Sequence, residues 1–511
     1  MTYPPVLAPR IIMDDKENLA PESVSTGIEG LDYILKGGLP KNRLFLVQGH
    51  PGTGKTTIGL QFLLEGARRG EKGLYITLSE SKEELESVAK SHGWDLGSIT
   101  IYDLTLSDAL PGDVAYTVFD PAEVELDETT RAVINEVERI RPTRLVFDSV
   151  SELRMLASEP LRFRRQILAL KQYFLKKQTT VLLIDDRTTE SRDRQLESVA
   201  HGVINLDYVQ QEYGRQRHSM RVVKMRGINF QSGAHDFNIE RGGAVVFPRL
   251  GIDPGSRTEV EPLVSDLADL ENLLGGLDYG TSTILMGPAG IGKSTLALIY
   301  AYTAALKGQR VGLYLFDESV DTLLKRTTSI GLDVRSMIET GKIMIRPIRL
   351  AELTPGELSH MISREVEDNE ARVIIIDSVN GYLMASPQER FLTMQFHELL
   401  SYLNRNGILT ILVVGQYGLI GSMQSPIDLS YLADTVVLMR YFEAEGEVRQ
   451  AISVLKKRTG KHERTIREYK IDSGGITFGP PLSDFRGVLT GVPTYDGARG
   501  KLMKTGQEEE N

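Results

Sequence analysis

No cysteine occurs among the 511 residues, so neither a disulfide nor a thiolate metal site can form, and a reducing cytoplasm is the natural setting. Long apolar runs are missing too. The longest, such as "ILTILVVG" at 408 to 415, fall far short of the roughly 20 residues that span a bilayer. The opening "MTYPPVLAPR" has no charged start followed by an apolar run, so no signal peptide is read there. Positive charge is in deficit: 59 Lys and Arg face 69 Asp and Glu, and the formal net charge of -10 argues against non-specific attachment to nucleic acid. What is present is ordinary for a globular chain, with 41% apolar and 25% charged residues. A single hydrophobic core does not serve a chain of this length, and two or more domains are expected.

Internal repetition orders the rest. "GHPGTGKTT" begins at Gly49 and "GPAGIGKST" at Gly287, which sets Lys55 and Lys293 238 positions apart (293 − 55). "LYITLSES" (74 to 81) and "LYLFDES" (313 to 319) keep that offset, aligning Ser79 with Asp317 and Glu80 with Glu318. "RLVFDSVSEL" with Asp148 returns as "RVIIIDSVNG" with Asp377, and "VVKMRG" with Lys224 and Arg226 returns as "SVLKKRTG" with Lys456 and Arg458. Four features in one order at nearly one spacing indicate a duplicated domain. The expected boundaries are a tail over 1–20, a first domain over 21–248, a linker over 249–262, a second domain over 263–495 and an acidic tail over 496–511. The linker rests on the prolines, glycines and charges of 247 to 266.

Each half reads as α/β. Short, nearly continuous apolar runs such as "RLFLVQG" (43 to 49), "GLYITL" (73 to 78), "RLVFD" (144 to 148) and "TTVLLID" (179 to 185) suit strands buried on both faces of a parallel sheet. Amphipathic stretches such as "ESKEELESVAKSHG" (80 to 93) lie between them. That alternation predicts right-handed βαβ units and a mostly parallel sheet flanked by helices.

The glycine-rich segments carry the chemistry. A "GxxxxGK[ST]" pattern between strand and helix makes a loop whose N–H groups surround phosphate oxygens at a helix N-terminus. Two are expected to bind ATP: Gly49, Gly52, Thr53, Gly54, Lys55, Thr56 and Thr57, then Gly287, Gly290, Ile291, Gly292, Lys293, Ser294 and Thr295. Thr56 with Asp148, and Ser294 with Asp377, are the expected Mg2+ pairs, each Asp ending an apolar strand. A helix N-cap is the plain alternative for those aspartates. Glu80 and Glu318 are candidate bases for the attacking water or hydroxyl, with Asp317 a second candidate, although acids of a helix's first turn would read alike.

"TGIEGLDYILKGGLPKNRLFLVQGHPGTGKTT", "SHGWDL" (91 to 96), "DSV", "KMRG" and the duplication together resemble the KaiC family of circadian clock ATPases, a branch of the RecA-like ATPases. The resemblance runs from about Ser25 to about Tyr495. It implies two tandem RecA-like P-loop domains, a homo-hexamer of two stacked rings with ATP between subunits, hydrolysis in both domains, and Ser/Thr autokinase activity in the second. It also implies that Lys224 and Arg226, and Lys456 and Arg458, act in trans on a neighbour's ATP, with Arg165 and Arg390 looser matches. The family's Glu-Glu pair is altered to Ser79-Glu80 and Asp317-Glu318, and Thr459 replaces a family glycine. In "LSYLADT", Ser430 and Tyr431 fall on the family's adjacent Ser and Thr phosphoacceptors, which leaves at most one efficient acceptor, Ser430.

Small regulatory or two-component signalling proteins are the partner class that the resemblance suggests. No nucleic acid or membrane partner is expected, and cytoplasmic location follows from composition. A RecA-like nucleic-acid motor stands as an alternative, tempted by the basic "RFRRQILALKQYFLKKQ" (162 to 178), but no zinc module or aromatic platform supports it. A nucleotide-dependent scaffold with little turnover is the third reading.

Overall fold

The structure, a computed structural model, describes residues 22–105, 121–157, 159–187, 195–210, 214–251, 261–349, 353–384, 389–418, 430–490 and 493–495. Both expected tails, the centre of the linker and the start of the acceptor stretch (426–429) lie outside the described residues. The chain divides into two compact units, one of Met1–Val209 with Arg217–Pro248, the other of Gln210–Gln216 with Arg249–Asn511.

In the first unit nine strands form one sheet: β1 (Leu44–Gly49), β2 (Gly73–Thr77), β3 (Thr100–Asp103), β4 (Arg144–Asp148), β5 (Thr180–Asp186), β6 (Gly202–Val209), β7 (Arg217–Met225), β8 (Ala234–Glu240) and β9 (Gly243–Phe247). Their order is 9-8-7-6-1-5-4-2-3. The six strands from β6 to β3 run parallel. Strands β7 to β9 add on antiparallel, an extension that the βαβ reading did not contain. Their burial alternates along β7, where one face meets solvent, which is why this stretch lacks the continuous apolar run of the central strands.

The second unit repeats the plan with β10 (Ser282–Gly287), β11 (Arg310–Leu315), β12 (Ile343–Pro347), β13 (Ala371–Asp377), β14 (Leu409–Gly415), β15 (Thr435–Ala444), β16 (Glu447–Lys457), β17 (Arg467–Asp472) and β18 (Gly475–Pro481). Read from the same side its order is 18-17-16-15-10-14-13-11-12, the first order with nine added to every strand. Each unit is thus a mostly parallel, helix-flanked RecA-like sheet. No helix among the described residues is long and apolar enough to cross a membrane.

Local chemistry sets the site's edges. β1 and β10 are buried along their whole length. Each ends in the loop that starts a 14-residue helix, Lys55–Arg68 or Lys293–Leu306. Beyond β2 the chain turns into the helix Lys82–His92, opened by a capping box in which Ser81 accepts from Glu84 N–H while its own N–H donates to the Glu84 carboxylate. Such a cap contributes about 1 kcal/mol. It also fixes the backbone one residue after Glu80.

A buried histidine beneath β1 gives the first unit a pH dependence. His201 accepts a hydrogen bond from Leu44 N–H. Burial, then the nearby Lys171 and Arg43 cations, lowers its imidazole to about 4. The unfolded chain takes up this proton near 6.5, the folded chain only near 4, so stability is expected to fall as pH drops through that window. Urea titrations from pH 7 to 4 should show a shallower loss for His201→Asn than for the unaltered chain. Equal slopes would remove His201 from the account.

Candidate active sites

In the second unit a cavity of about 620 Å3 opens where β10 turns into its helix. Gly290, Gly292, Lys293, Ser294, Thr295, Asp317, Glu318 and Asp377 line it, so the predicted loop, strand-end acid and acid pair converge on one space. Gly287 and Ile291 stand behind: Ile291 is fully buried, and a Cβ on Gly287 would lie 2.4 Å from the Met439 carbonyl oxygen. The glycines just before the two lysines have their own reason. Gly54 and Gly292 cap their helices at φ 88° and 100°, and a Cβ there would strike Ile239 or Ile471 at 2.5 and 2.2 Å.

Two charges in this cavity, Lys293 and Asp377, make no ion pair among the described residues. Lys293 Nζ donates to the Pro288 carbonyl oxygen at 2.6 Å, and burial lowers its ammonium to about 8. Asp377 is raised by burial, partly offset by the Ser294 hydroxyl bonded to it. An anion beside Lys293 and a cation beside Asp377 would relieve both. The acid pair is already engaged: Ser378 Oγ donates to Asp317 Oδ2, and Arg326 donates through Nε and Nη2 to both oxygens of Glu318, at 3.3 and 2.6 Å.

The first unit arranges the same elements differently. Lys55 Nζ lies 2.8 Å from Asp186 Oδ1 and donates to the Gly49 and His50 carbonyl oxygens, each at 3.0 Å. Asp148 Oδ2 accepts from Tyr75 Oη at 2.5 Å and from Thr56 Oγ1 at 3.3 Å. Thr53 and Thr57 are buried, and Thr53 Oγ1 donates to the His50 carbonyl oxygen. A Cβ on Gly49 would meet the Leu206 carbonyl oxygen at 2.6 Å, whereas beside Gly52 there is open space. Glu80 Oε2 is buried with no hydrogen-bond partner. Burial first, then Asp148, raises its carboxyl above the usual value. Ser79 is exposed, and the Ser149 hydroxyl, counterpart of Ser378, is buried without a partner. The exchange of Ser79 for Asp317 thus changes the hydrogen bonding of the serine after the strand-end aspartate.

A second cavity, of about 560 Å3, runs along the C-terminal half of the helix Lys55–Arg68 beside Gly27, Trp94 and Gly242, and contains none of the predicted site residues. The expected trans-acting cations also sit apart. Lys224 donates to the Glu197 carbonyl oxygen and Arg226 to that of Ser198. Lys456 donates to the Ser430 and Ala433 carbonyl oxygens, Arg458 pairs with Asp434 at 3.3 Å, and neither lines the 620 Å3 cavity. Ser430 and Tyr431 lie in the turn before β15, with Tyr431 exposed. Arg165 is exposed on the helix Pro160–Lys176, and Arg390 belongs to the helix Glu389–Arg405.

Sequence reading missed Asp186, Arg326 and Ser378. Asp186 closes the run quoted as "TTVLLID" one residue beyond its last letter, and Arg326 follows Glu318 by eight positions on a helix. Neither spacing is a motif. Among the described residues no group of three or more His, Asp or Glu could hold a metal by itself. The hydroxyl–carboxylate pairs Thr56–Asp148 and Ser294–Asp377 do fit Mg2+, which keeps most of its shell as water and phosphate oxygens.

A family model described as "ATPase: KaiC" matches residues 24–251 and, a second time, residues 264–483. Among known proteins, the chain is 27% identical over 498 residues to the circadian clock protein KaiC3 of Synechocystis sp., covering 94% of this chain and 97% of that one. It is 28% identical over 487 residues to the circadian clock oscillator protein KaiC of Thermostichus vulcanus, covering 93% and 92%. To the protein of the same name from Synechococcus elongatus it is 27% identical over 492 residues, covering 94% and 93%.

Proposed function

Since the chain belongs to the KaiC family of ATPases, we propose that it hydrolyses ATP with Mg2+ at both phosphate loops, as a homo-hexamer with ATP between subunits, and transfers phosphate to Ser430 in the second unit. The observation that carries this reading is the convergence of Lys293, Ser294, Asp377 and the acid pair on one cavity beside a helix N-terminus. That set of groups answers a polyphosphate: loop N–H groups and Lys55 or Lys293 neutralise it, and a carboxylate takes the proton of the attacking oxygen. Mg2+ held through Thr56 and Asp148, or Ser294 and Asp377, would supply further neutralisation of the transferring group. Glu80 is the proposed base of the first site, Glu318 that of the second toward water, and Asp317 that toward the protein hydroxyl.

Lys224, Arg226, Lys456 and Arg458 are assigned to the neighbour's phosphates, a role supported by their standing away from their own loops. Asp317 is one methylene shorter than glutamate and holds Ser378, which predicts slow phosphotransfer. Tyr431 is longer than threonine, so Ser430 is the proposed acceptor. Small regulatory or two-component signalling proteins in the cytoplasm are the proposed partners.

Phosphate release by the full chain, by Lys55→Ala, by Lys293→Ala and by the double variant tests the core of this reading. Each single variant should keep part of the activity, and the double variant should lose it. Native mass with Mg-ATP should give six copies, and phosphopeptide mapping should find Ser430. An active double variant would sink the assignment; an unphosphorylated hexamer that turns over ATP would remove only the autokinase step.

A further inference from the structure

We propose that Asp186 and Arg326 are positioning residues that latch the two ATP sites at different steps: Asp186 occupies Lys55 and opposes nucleotide binding in the first unit, and Arg326 occupies Glu318 and opposes water activation in the second. The inference rests on the reading that both units take ATP.

The two ion pairs are complementary. In the first unit the phosphate-loop lysine is held by a carboxylate at 2.8 Å, while the base candidate Glu80 keeps a buried oxygen without any partner. In the second, Lys293 bonds the Pro288 carbonyl oxygen and makes no ion pair among the described residues, while Glu318 is gripped at both oxygens by one guanidinium. The same guanidinium donates through Nη1 to Thr295 Oγ1 at 2.9 Å on the phosphate-loop helix, which fixes its position.

Neither latch has its residue at the equivalent position of the other unit. Sheet register pairs Gly49 with Asp186 and, equivalently, Gly287 with Gly415, so the position of Asp186 has no side chain in the second unit. Eight residues after Glu318 stands Arg326; eight after Glu80 stands Val88, which packs against the first unit's core. Neither difference is a gain or loss of the loop itself.

The physical consequences differ in kind. A phosphate entering the first site must displace Asp186 from a lysine whose side chain is only 9% exposed, and it then meets the freed carboxylate as a like charge. That opposes binding, whatever happens afterwards. Phosphates entering the second site find Lys293 in no ion pair among the described residues, with Asp377 near it but not bonded to it. Both oxygens of Glu318 are turned to the guanidinium and not to an attacking water, so Glu318 must leave Arg326 before it can take a proton from water. That opposes turnover, not binding.

Full-length chains with one loop silenced separate the two, Lys293→Ala reporting the first unit and Lys55→Ala the second. Titration with fluorescent mant-ATP gives Kd, and phosphate release at saturation gives kcat. In the first background Asp186→Asn should tighten mant-ATP binding about tenfold and leave kcat within about twofold, a split that merely structural damage does not produce. In the second, Arg326→Gln should raise kcat about tenfold with Kd little changed, and Arg326→Lys should fall between it and the parent. Unchanged or weaker mant-ATP binding by Asp186→Asn, with Asp186→Ser behaving alike, overturns the first latch. A fall in kcat for Arg326→Gln that lysine restores overturns the second and makes Arg326 a phosphate-charge stabiliser instead. If neither silenced chain binds mant-ATP, the ATP reading fails and both latches fail with it; normal binding without these shifts overturns the latches alone.

Discussion

Exchanging Glu80 for glutamine is expected to lower phosphate release from the first unit about 10²–10⁴-fold, the usual worth of a positioned general base, while mant-ATP binding stays close to that of the parent. The amide keeps the shape of the side chain and its place before the Ser81 cap, but it cannot accept a proton. Glu80 suits the part because its Oε2 is buried and free of hydrogen bonds, and because burial and Asp148 lift its carboxyl above the ordinary value. A raised carboxyl is a stronger base once ionised, so the parent rate should fall as pH drops through the Glu80 titration, and the glutamine variant should show no such fall. The measurement is single-turnover phosphate release in the Lys293→Ala background. Unchanged release by Glu80→Gln would favour the scaffold reading over the enzyme.

Removing the Arg144 guanidinium is expected to give the largest loss of stability in the first unit. Arg144 is fully buried. It bonds Glu71 through Nε and Nη2, at 2.6 and 3.2 Å. Nη1 donates to the Ser25 and Phe62 carbonyl oxygens at 2.7 and 2.9 Å, and the guanidinium stands 4.8 Å from the centre of the Phe62 ring. Glu71 is 27% exposed, so water can take up part of its charge, and the cost falls mainly on the two carbonyls, about 1–3 kcal/mol for each group left without a partner. Arg144→Ala should therefore lower the urea midpoint of the first unit sharply. The second unit has Val373 at the corresponding strand position, fully buried, and its transition should not move. A loss below about 1 kcal/mol would mean that water replaces the guanidinium.

These two residues mark how far a sequence can be read. Glu80 was legible because it repeats at the offset of the phosphate loops, and repetition is a one-dimensional signal. The α/β class was legible in the buried strand runs, the loops in their glycine spacing, and the strand-end Asp148 and Asp377 in their "DSV" context. Arg144 was quoted only as the first letter of a strand, because nothing local distinguishes a buried arginine from an exposed one at a strand's start. Its partners Ser25, Phe62 and Glu71 come from three separate segments. Lys55 and Asp186 meet because the strand leading into the helix of Lys55 neighbours β5, which lies far along the chain, a relation set by strand order. That order, with its antiparallel extension, depends on which edges pair in space, and alternation of strands and helices does not state it. Spacing explained the glycines only in part: Gly49 and Gly287 answer to the carbonyl groups of Leu206 and Met439.

The place of β1 at the middle of its sheet bears on how the chain is made. Leu44 pairs with Val181 and Phe45 with Gly202, so both flanking strands leave the ribosome long after the phosphate-loop strand does. Until then β1 is an apolar ribbon with two open edges, a slow, non-local closure of the kind that exposes a nascent chain to aggregation. β10 faces the same wait, with Leu285 pairing to Val413 and to Val437. Because the two sheets share one strand order, an unfilled slot beside β1 is shaped for β14 as well as for β5. Vectorial synthesis works against this: every strand of the first sheet has been made before the first strand of the second is begun, so the order of translation favours pairing within each sheet.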